Sequence, residues 1–133
     1  MKKKIKIICC DIDNTICLTK KNYYKSSRPN LPAIKKINYL YSKGYYIKLF
    51  TSRFMGRNKD NVTKAKRDGY KFTESQLKKW KVNYNELIFG KPSYDLFIDD
   101  KCIFFKKNWY NYILKKLWNP LNSLSQNIST KLA

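Results

Sequence analysis

Histidine is absent from this 133-residue chain, and acidic residues are scarce. Without an imidazole the chain cannot build a Ser-His-Asp or Cys-His catalytic site, or a zinc site that needs histidine. Acid–base chemistry must then come from carboxylates, lysine, tyrosine or cysteine. Only nine residues are Asp or Glu, whereas 29 are Lys or Arg. The few carboxylates are therefore the first candidates for a reactive role.

The chain also lacks long apolar runs and paired cysteine motifs. No apolar run approaches the roughly 20 residues of a membrane-spanning helix. The run over residues 5–10 meets Asp11 at once, which is too short for a secretory signal. The cysteines form no Cys-x-x-Cys pair, so we expect neither a disulfide framework nor a zinc site. Reduced thiols in a cytoplasmic protein are the expectation.

The net charge of +20 comes almost entirely from lysine. Arginine, which makes the bidentate contacts that nucleic-acid readers favour, accounts for four of the 29 basic residues. We therefore do not expect nucleic acid as the main partner, although a non-catalytic, basic nucleic-acid-binding module is kept as an alternative. Attraction of small anionic ligands follows from the charge itself.

Strand and helix patterns alternate along the chain, which is typical of an α/β domain with a parallel sheet. Its length predicts one domain over residues 1–120, followed by a frayed tail over 121–133. The predicted strands cover residues 4–10, 45–50, 86–89 and 96–98, with a short fifth strand over 103–105. The predicted helices run from the Asn30 cap to Gly44, and over 58–68, 73–83 and 108–118.

Reactive side chains follow each main predicted strand. The carboxyl ends of parallel strands share one edge of the sheet, where ligands bind. Carboxylates about 4 Å apart repel by about 4 kcal/mol at an effective dielectric of ~20. A cation or a shared proton relieves that repulsion, and oxygen ligands without histidine favour Mg²⁺. The strand-end residues are Asp11 and Asp13, Thr51 and Ser52, Lys91, and Asp99 and Asp100.

These residues resemble the motifs of haloacid dehalogenase-like hydrolases. The stretch 11–15, Asp-Ile-Asp-Asn-Thr, is similar to the DxDxT first motif, and Thr51, Lys91 and Asp99-Asp100 are similar to the next three motifs in order. The resemblance covers roughly residues 5–105. It implies a Rossmann-like three-layer sandwich around a central parallel sheet. The stretches 50–53 and 89–95 more narrowly resemble small, capless phosphatases of capsular polysaccharide biosynthesis.

The chemistry of the residues agrees with the roles that the resemblance implies. Asp11, with a reference pKa near ~3.9, can attack phosphorus without an activating base. Asp13 would protonate the leaving oxygen and later deprotonate water. Lys91 would neutralise the phosphate, and Thr51 would hold its oxygens. The backbone N–H of Ser52 would assist Thr51.

Magnesium is the expected cofactor. Its ligands would be Asp11, the backbone carbonyl of Asp13, Asp99 and Asp100. Asn14 and Arg53 are further candidates for substrate or phosphate binding, although local backbone bonding for Asn14 and a surface role for Arg53 are equally compatible with the sequence.

The sequence leaves no room for a large cap domain over the site. Only residues 16–30 separate the first motif from a helix, so they form a minimal flap, and residues 54–86 are taken up by helices. We expect an open site, with a second copy of the chain as one source of a lid. The leading interpretation is a Mg²⁺-dependent phosphatase acting on a phosphorylated sugar or capsule precursor. A polynucleotide or protein phosphatase is the alternative enzyme.

Overall fold

The computed structural model describes residues 5–113 and shows an α/β fold with a central parallel sheet. The sheet has three strands in the order β1-β4-β5. In chain order, the elements are β1 (Ile7–Cys10), β2 (Cys17–Leu18), β3 (Arg28–Pro29), α1 (Leu31–Ser42), β4 (Tyr46–Thr51), α2 (Val62–Lys79) and β5 (Glu86–Phe89). Short 3₁₀ helices lie at Tyr24–Ser26, Gly56–Asn58 and Trp109–Asn111.

Both pairings of the sheet are parallel, with β4 in the middle. Alternate residues of β4, namely Ile47, Leu49 and Thr51, are fully buried, whereas Tyr46 and Lys48 are not. This period of two places the core on one face of the sheet. The prediction of an α/β, Rossmann-like fold around a parallel sheet is confirmed.

The helix α1 begins where its sequence predicts. The Asn30 side chain accepts a hydrogen bond from the Ala33 N–H at 3.2 Å, and Pro32 lies in the first turn. Ile34, Ile37 and Leu40 follow at helical spacing and are buried. The next residues reach Gly44 with φ of +93°, a conformation that glycine adopts readily after a helix.

The flap, residues 16–30, is a small folded unit in its own right. β2 and β3 pair as antiparallel strands, and Cys17 lies opposite Pro29. The Asn30 N–H also donates to the Ile16 carbonyl at 2.9 Å, which closes the base of the flap. The chain therefore passes from β1 to α1 through a minimal flap, without a cap domain.

The helix α2 corrects the prediction of two helices separated at Gly69. It runs unbroken through Gly69, which is buried. A Cβ at this position would lie 2.1 Å from the Phe54 ring. Gly69 thus makes room for a packed aromatic ring, and does not end the helix. The helix begins at the Asn61 cap, whose side-chain oxygen accepts a hydrogen bond from the Lys64 N–H at 3.0 Å, and no second helix begins at residue 73.

The strands predicted over 96–98 and 103–105 are not formed. Residues 90–108 contain neither helix nor strand. Leu96 is 78% exposed and Ile98 is 88% exposed. A run of three apolar residues becomes a strand only where a neighbouring strand pairs with it, and no described residue pairs with 96–98.

The chain is anchored again at its next aromatic residues. Trp109 is buried, and its indole N–H donates to the Thr15 carbonyl at 2.9 Å. The predicted helix over 108–118 begins here as a 3₁₀ turn, and its remainder, like the tail 121–133, lies outside the described residues. None of the helices within 5–113 has the length and apolar character needed to cross a membrane.

Candidate functional site

Asp11 and Lys91 meet at the carboxyl edge of the sheet. Asp11 follows β1, and Lys91 follows β5 after Gly90, whose φ of +108° turns the chain. The Lys91 N–H donates to the Thr51 carbonyl at 3.2 Å, which joins the ends of β5 and β4. The Lys91 Nζ then lies 3.6 Å from Oδ1 of Asp11. The structure thus brings together two residues that the sequence separates by 80 positions.

Burial and charge act in opposite directions on this pair. Burial raises the pKa of Asp11, and the nearby Lys91 charge partly offsets that rise. For Lys91, burial alone would lower the pKa. A hydrogen bond to Tyr94 and the charge of Asp11 outweigh it, so the pKa of Lys91 lies above its ordinary value. Lys91 is therefore a firmly charged ammonium group beside a carboxylate that is half removed from water.

Asp13 is held by an arginine from the turn after β4. The Arg53 Nε donates to Oδ2 of Asp13 at 2.9 Å, and Nη2 donates to Oδ1 at 2.9 Å. This fork arrangement fixes the plane of the carboxylate as well as its position. Arg53 is 1% exposed, whereas the Asp13 side chain is 20% exposed, so the arginine is fully shielded from water and the carboxylate only in part.

The remaining contacts of Arg53 face inward. Its Nη1 donates to Oε1 of Gln76 at 2.6 Å and to the Thr73 hydroxyl at 3.5 Å, both on α2. Its guanidinium carbon lies 4.9 Å from the centre of the Tyr24 ring of the flap. The sequence left substrate binding and a surface role equally open for Arg53, and the structure instead uses its donors to join Asp13, α2 and the flap.

Several residues around the Asp13–Arg53 pair were not predicted from the sequence. The Thr19 hydroxyl donates to Oδ1 of Asp13 at 2.5 Å and lies 2.7 Å from the Ser27 hydroxyl. Gln76 donates from Nε2 to the Tyr24 carbonyl at 2.8 Å. No motif spacing marks these residues. The only available signal is that hydroxyl and amide side chains are frequent in the flap.

Thr51, Ser52 and Asn14 lie at the same edge. Thr51 is fully buried, and its hydroxyl accepts a hydrogen bond from the Arg53 N–H at 3.1 Å. Ser52 is half-buried in the turn that follows. Asn14 has φ of 60°, and its side-chain oxygen accepts from the Thr19 N–H at 3.1 Å. Asn14 therefore shapes the turn after Asp13, the local role that its residue type favours.

Asp99 and Asp100 are not gathered with the other two aspartates. Both are exposed, and the Asp99 carboxylate accepts from the Lys101 N–H at 3.0 Å. Burial raises the pKa of the Cys9 thiol, and Asp99 lies near enough to Cys9 to add to that rise. Asp99 thus lies in the neighbourhood of Cys9 in β1, while both members of the acidic pair are exposed to solvent.

The donor set suits Mg²⁺, but its placement does not form a finished metal centre. Carboxylate and carbonyl oxygens are the ligands that this ion prefers. Within residues 5–113, however, no three His, Cys, Asp or Glu side chains stand together as a metal-binding group. The charged group nearest to Asp11 is the Lys91 ammonium, and not a second carboxylate that could share a metal ion with it. We derive no chemical step through a metal ion from this arrangement.

Comparison with known proteins informs the fold alone. No family model matches the chain, and no curated protein matches it. A crystal structure of a structural-genomics target from Vibrio cholerae is similar, with a TM-score of 0.72 and 22% sequence identity. The match covers 95% of this chain and 98% of that one. The two chains therefore share the same fold.

Proposed function

We propose that this protein is a phosphatase that hydrolyses a phosphate monoester through an aspartyl-phosphate intermediate. One observation carries the proposal: the Asp11 carboxylate lies at the ligand-binding edge of a parallel sheet with the Lys91 ammonium 3.6 Å away. A phosphate dianion approaching a carboxylate needs such a cation, because charge compensation is the main demand of phosphoryl transfer.

The reaction assigns one bond change to each aspartate. An Asp11 oxygen bonds to phosphorus while the phosphorus–oxygen bond of the ester breaks, and Asp13, which must be protonated when the ester is bound, gives its proton to the leaving oxygen. Water then bonds to phosphorus, Asp13 takes a proton from that water, and the bond to Asp11 breaks. Free phosphate leaves, and both aspartates return to their starting state.

Arg53 sets a condition on the role of Asp13. Both Asp13 oxygens accept hydrogen bonds from Arg53, and Oδ1 also accepts one from Thr19. To reach a leaving oxygen, Asp13 must exchange one of these bonds for a bond to substrate. The flap supplies Thr19, so movement of the flap would remove one of the two bonds to Oδ1, and the bond from Arg53 Nη2 would still have to be exchanged.

Magnesium and the substrate complete the proposal. Asp11, the Asp13 carbonyl, Asp99 and Asp100 would hold the ion, after the 92–108 segment approaches Asp11. When bound, the ion supplies further charge compensation for the phosphate. A phosphorylated sugar in the cytoplasm is the substrate that we propose, consistent with the +20 charge and an uncapped site.

A phosphate-release screen tests the proposal. Phosphorylated sugars, oligonucleotides and peptides are offered with and without Mg²⁺. We expect turnover of a sugar phosphate that Asp11→Asn lowers by about a thousandfold or more. Glu74→Gln is the control, because Glu74 is exposed on α2 and is not among the proposed site residues.

Three outcomes would count against it. Turnover that survives Asp11→Asn would exclude Asp11 as the nucleophile. Preference for oligonucleotides or peptides would favour the alternative phosphatases. Steeply salt-dependent DNA binding without any turnover would favour the basic nucleic-acid-binding module.

A further inference from the structure

A cavity of about 470 Å³ opens between the flap and α2. Flap residues 22–26 form one side, Phe54 and Arg57 form the second, and Asp68 and Phe72 of α2 form the third. This volume falls within the range of small-molecule pockets, about 300–1,000 Å³. We call it the flap pocket. Nothing in the reaction proposed above uses it.

Aromatic rings dominate the walls of the flap pocket. The Tyr24 and Phe54 rings lie 5.0 Å apart at a tilted angle, and Tyr23 and Phe72 add two further rings. Tyr23 is 59% exposed although it is a large aromatic residue. Flat ring faces of this kind bind other rings by stacking and by excluding water. A ligand with a ring therefore fits these walls better than an open chain does.

The charges of the pocket select an anion. The Arg57 guanidinium carbon lies 4.5 Å from the Phe54 ring centre and 5.7 Å from that of Tyr24, so the two rings hold it in place. Among residues 5–113 it donates no hydrogen bond. Asp68, the acidic wall residue, already accepts from Asn58 and Arg67, each at 3.1 Å. Hydrogen bonds from Asn58 and Arg67 lower the pKa of Asp68, and Arg57 is near enough for its charge to add to that lowering. The pocket still holds two cations, Arg57 and Lys25, against this one acidic residue that Asn58 and Arg67 already bind.

The pocket adjoins the reactive edge through a continuous set of contacts. The Tyr24 ring that lines the pocket also packs on Arg53, and Arg53 binds Asp13. A molecule bound against the Tyr24 ring would therefore contact a residue that packs directly on Arg53, the partner of Asp13.

We infer that the flap pocket binds the ring of an anionic, ring-bearing phosphate ester, with Arg57 contacting its negative charge and Phe72 its ring. A sugar and a nucleobase share this chemistry. The inference goes beyond the proposed function, because it places a second anion site at Arg57, outside the Asp11–Lys91 pair, and binding there does not require turnover.

Direct binding to the full chain tests the inference, with Asp11→Asn as the background so that no ester is consumed. The probes are inorganic phosphate, glycerol 3-phosphate, glucose 1-phosphate and AMP, measured by calorimetry. We expect the ring-bearing probes to bind about tenfold or more tightly than the first two, because they add a buried ring. The glucose and adenosine probes then separate a sugar from a base.

Two variants locate the binding. Arg57→Gln is expected to weaken the ring-bearing probes about tenfold, and Phe72→Ala to weaken them while leaving inorganic phosphate unchanged. Lys71→Gln is the matched control, since it removes one positive charge from an exposed position on α2 outside the pocket. Arg57 is exposed, so its variant tests the pocket even if Phe72→Ala unfolds the chain.

The outcomes separate this inference from the proposed function. Equal affinity for all four probes, or an Arg57→Gln effect no larger than that of Lys71→Gln, overturns the inference. Tight binding of ring-bearing probes that depends on Arg57, in a chain whose parent releases no phosphate, supports the pocket and overturns the phosphatase.

Discussion

The two halves of the candidate site are built differently. Residues 5–91 hold Asp11, Asp13 and Lys91 at the ends of paired strands, each beside a charged partner. The 92–108 segment carries Asp99 and Asp100 on an exposed, irregular path. Buried contacts fix the first half before any ligand arrives. Asp99 and Asp100 themselves lack buried contacts, so a ligand or ion would have to supply the energy that brings them to Asp11.

The Asp13–Arg53 pair is the sharpest test of the ordered half. Replacing Arg53 with Met leaves the Asp13 carboxylate, whose side chain is only 20% exposed, without its cation. We expect the free energy of unfolding to fall by about 3–5 kcal/mol. Urea denaturation at neutral pH measures it. Arg67→Met is the control, because Arg67 pairs with Asp68 while its side chain is 68% exposed, and a loss within about 1 kcal/mol is expected there.

A double variant separates the pair from its surroundings. In an Asp13→Asn background no carboxylate remains, so Arg53→Met should cost less than it does alone. The claim that buried contacts fix the ordered half is wrong if Arg53→Met and Arg67→Met lower the free energy of unfolding equally. It also fails if the losses at Asp13 and Arg53 simply add.

The irregular half is tested by Asp99→Asn. The side chain is exposed, so we expect the free energy of unfolding to change by no more than about 0.5 kcal/mol. If Asp99 contacts Mg²⁺, the concentration of Mg²⁺ that gives half-maximal turnover should rise about tenfold or more. Asp95→Asn removes the same charge from the same segment and should leave that concentration unchanged. Identical magnesium curves for Asp99→Asn and the parent chain would remove Asp99 from the proposed ligands.

Local sequence signals predicted the parts of the fold that depend on local chemistry. The Asn30 cap and the strand over 86–89 are confirmed as predicted. The helix end predicted at Gly69 was wrong, because a glycine that ends a helix and a glycine that makes room for a neighbouring ring look alike in sequence. The strand over 96–98 was wrong because pairing depends on a partner strand that its own residues do not specify.

The same limit applies to the site. The sequence predicted that Asp11 and Lys91 would share one edge, because parallel strands bring their carboxyl ends together. It did not predict that Arg53 would turn inward to Asp13, since an arginine after a strand is equally suited to solvent, a substrate or an internal carboxylate. Such a choice depends on the shape of the core, to which α2 and the flap both contribute.

The smallest expected effect concerns the titration of Asp11 in the ordered half, measured by carbon-13 NMR of its carboxyl group without metal. Burial raises its pKa above the ordinary 3.8 while Lys91 lowers it, so Lys91→Met should raise the pKa further and Lys71→Met should not. A raised pKa means that the folded chain binds this proton more tightly. This group's contribution to stability therefore falls as the pH rises from 3.8 through the folded pKa, and Lys91→Met extends that fall to higher pH. A pKa that stays the same or drops in Lys91→Met would mean that the ammonium does not act on Asp11.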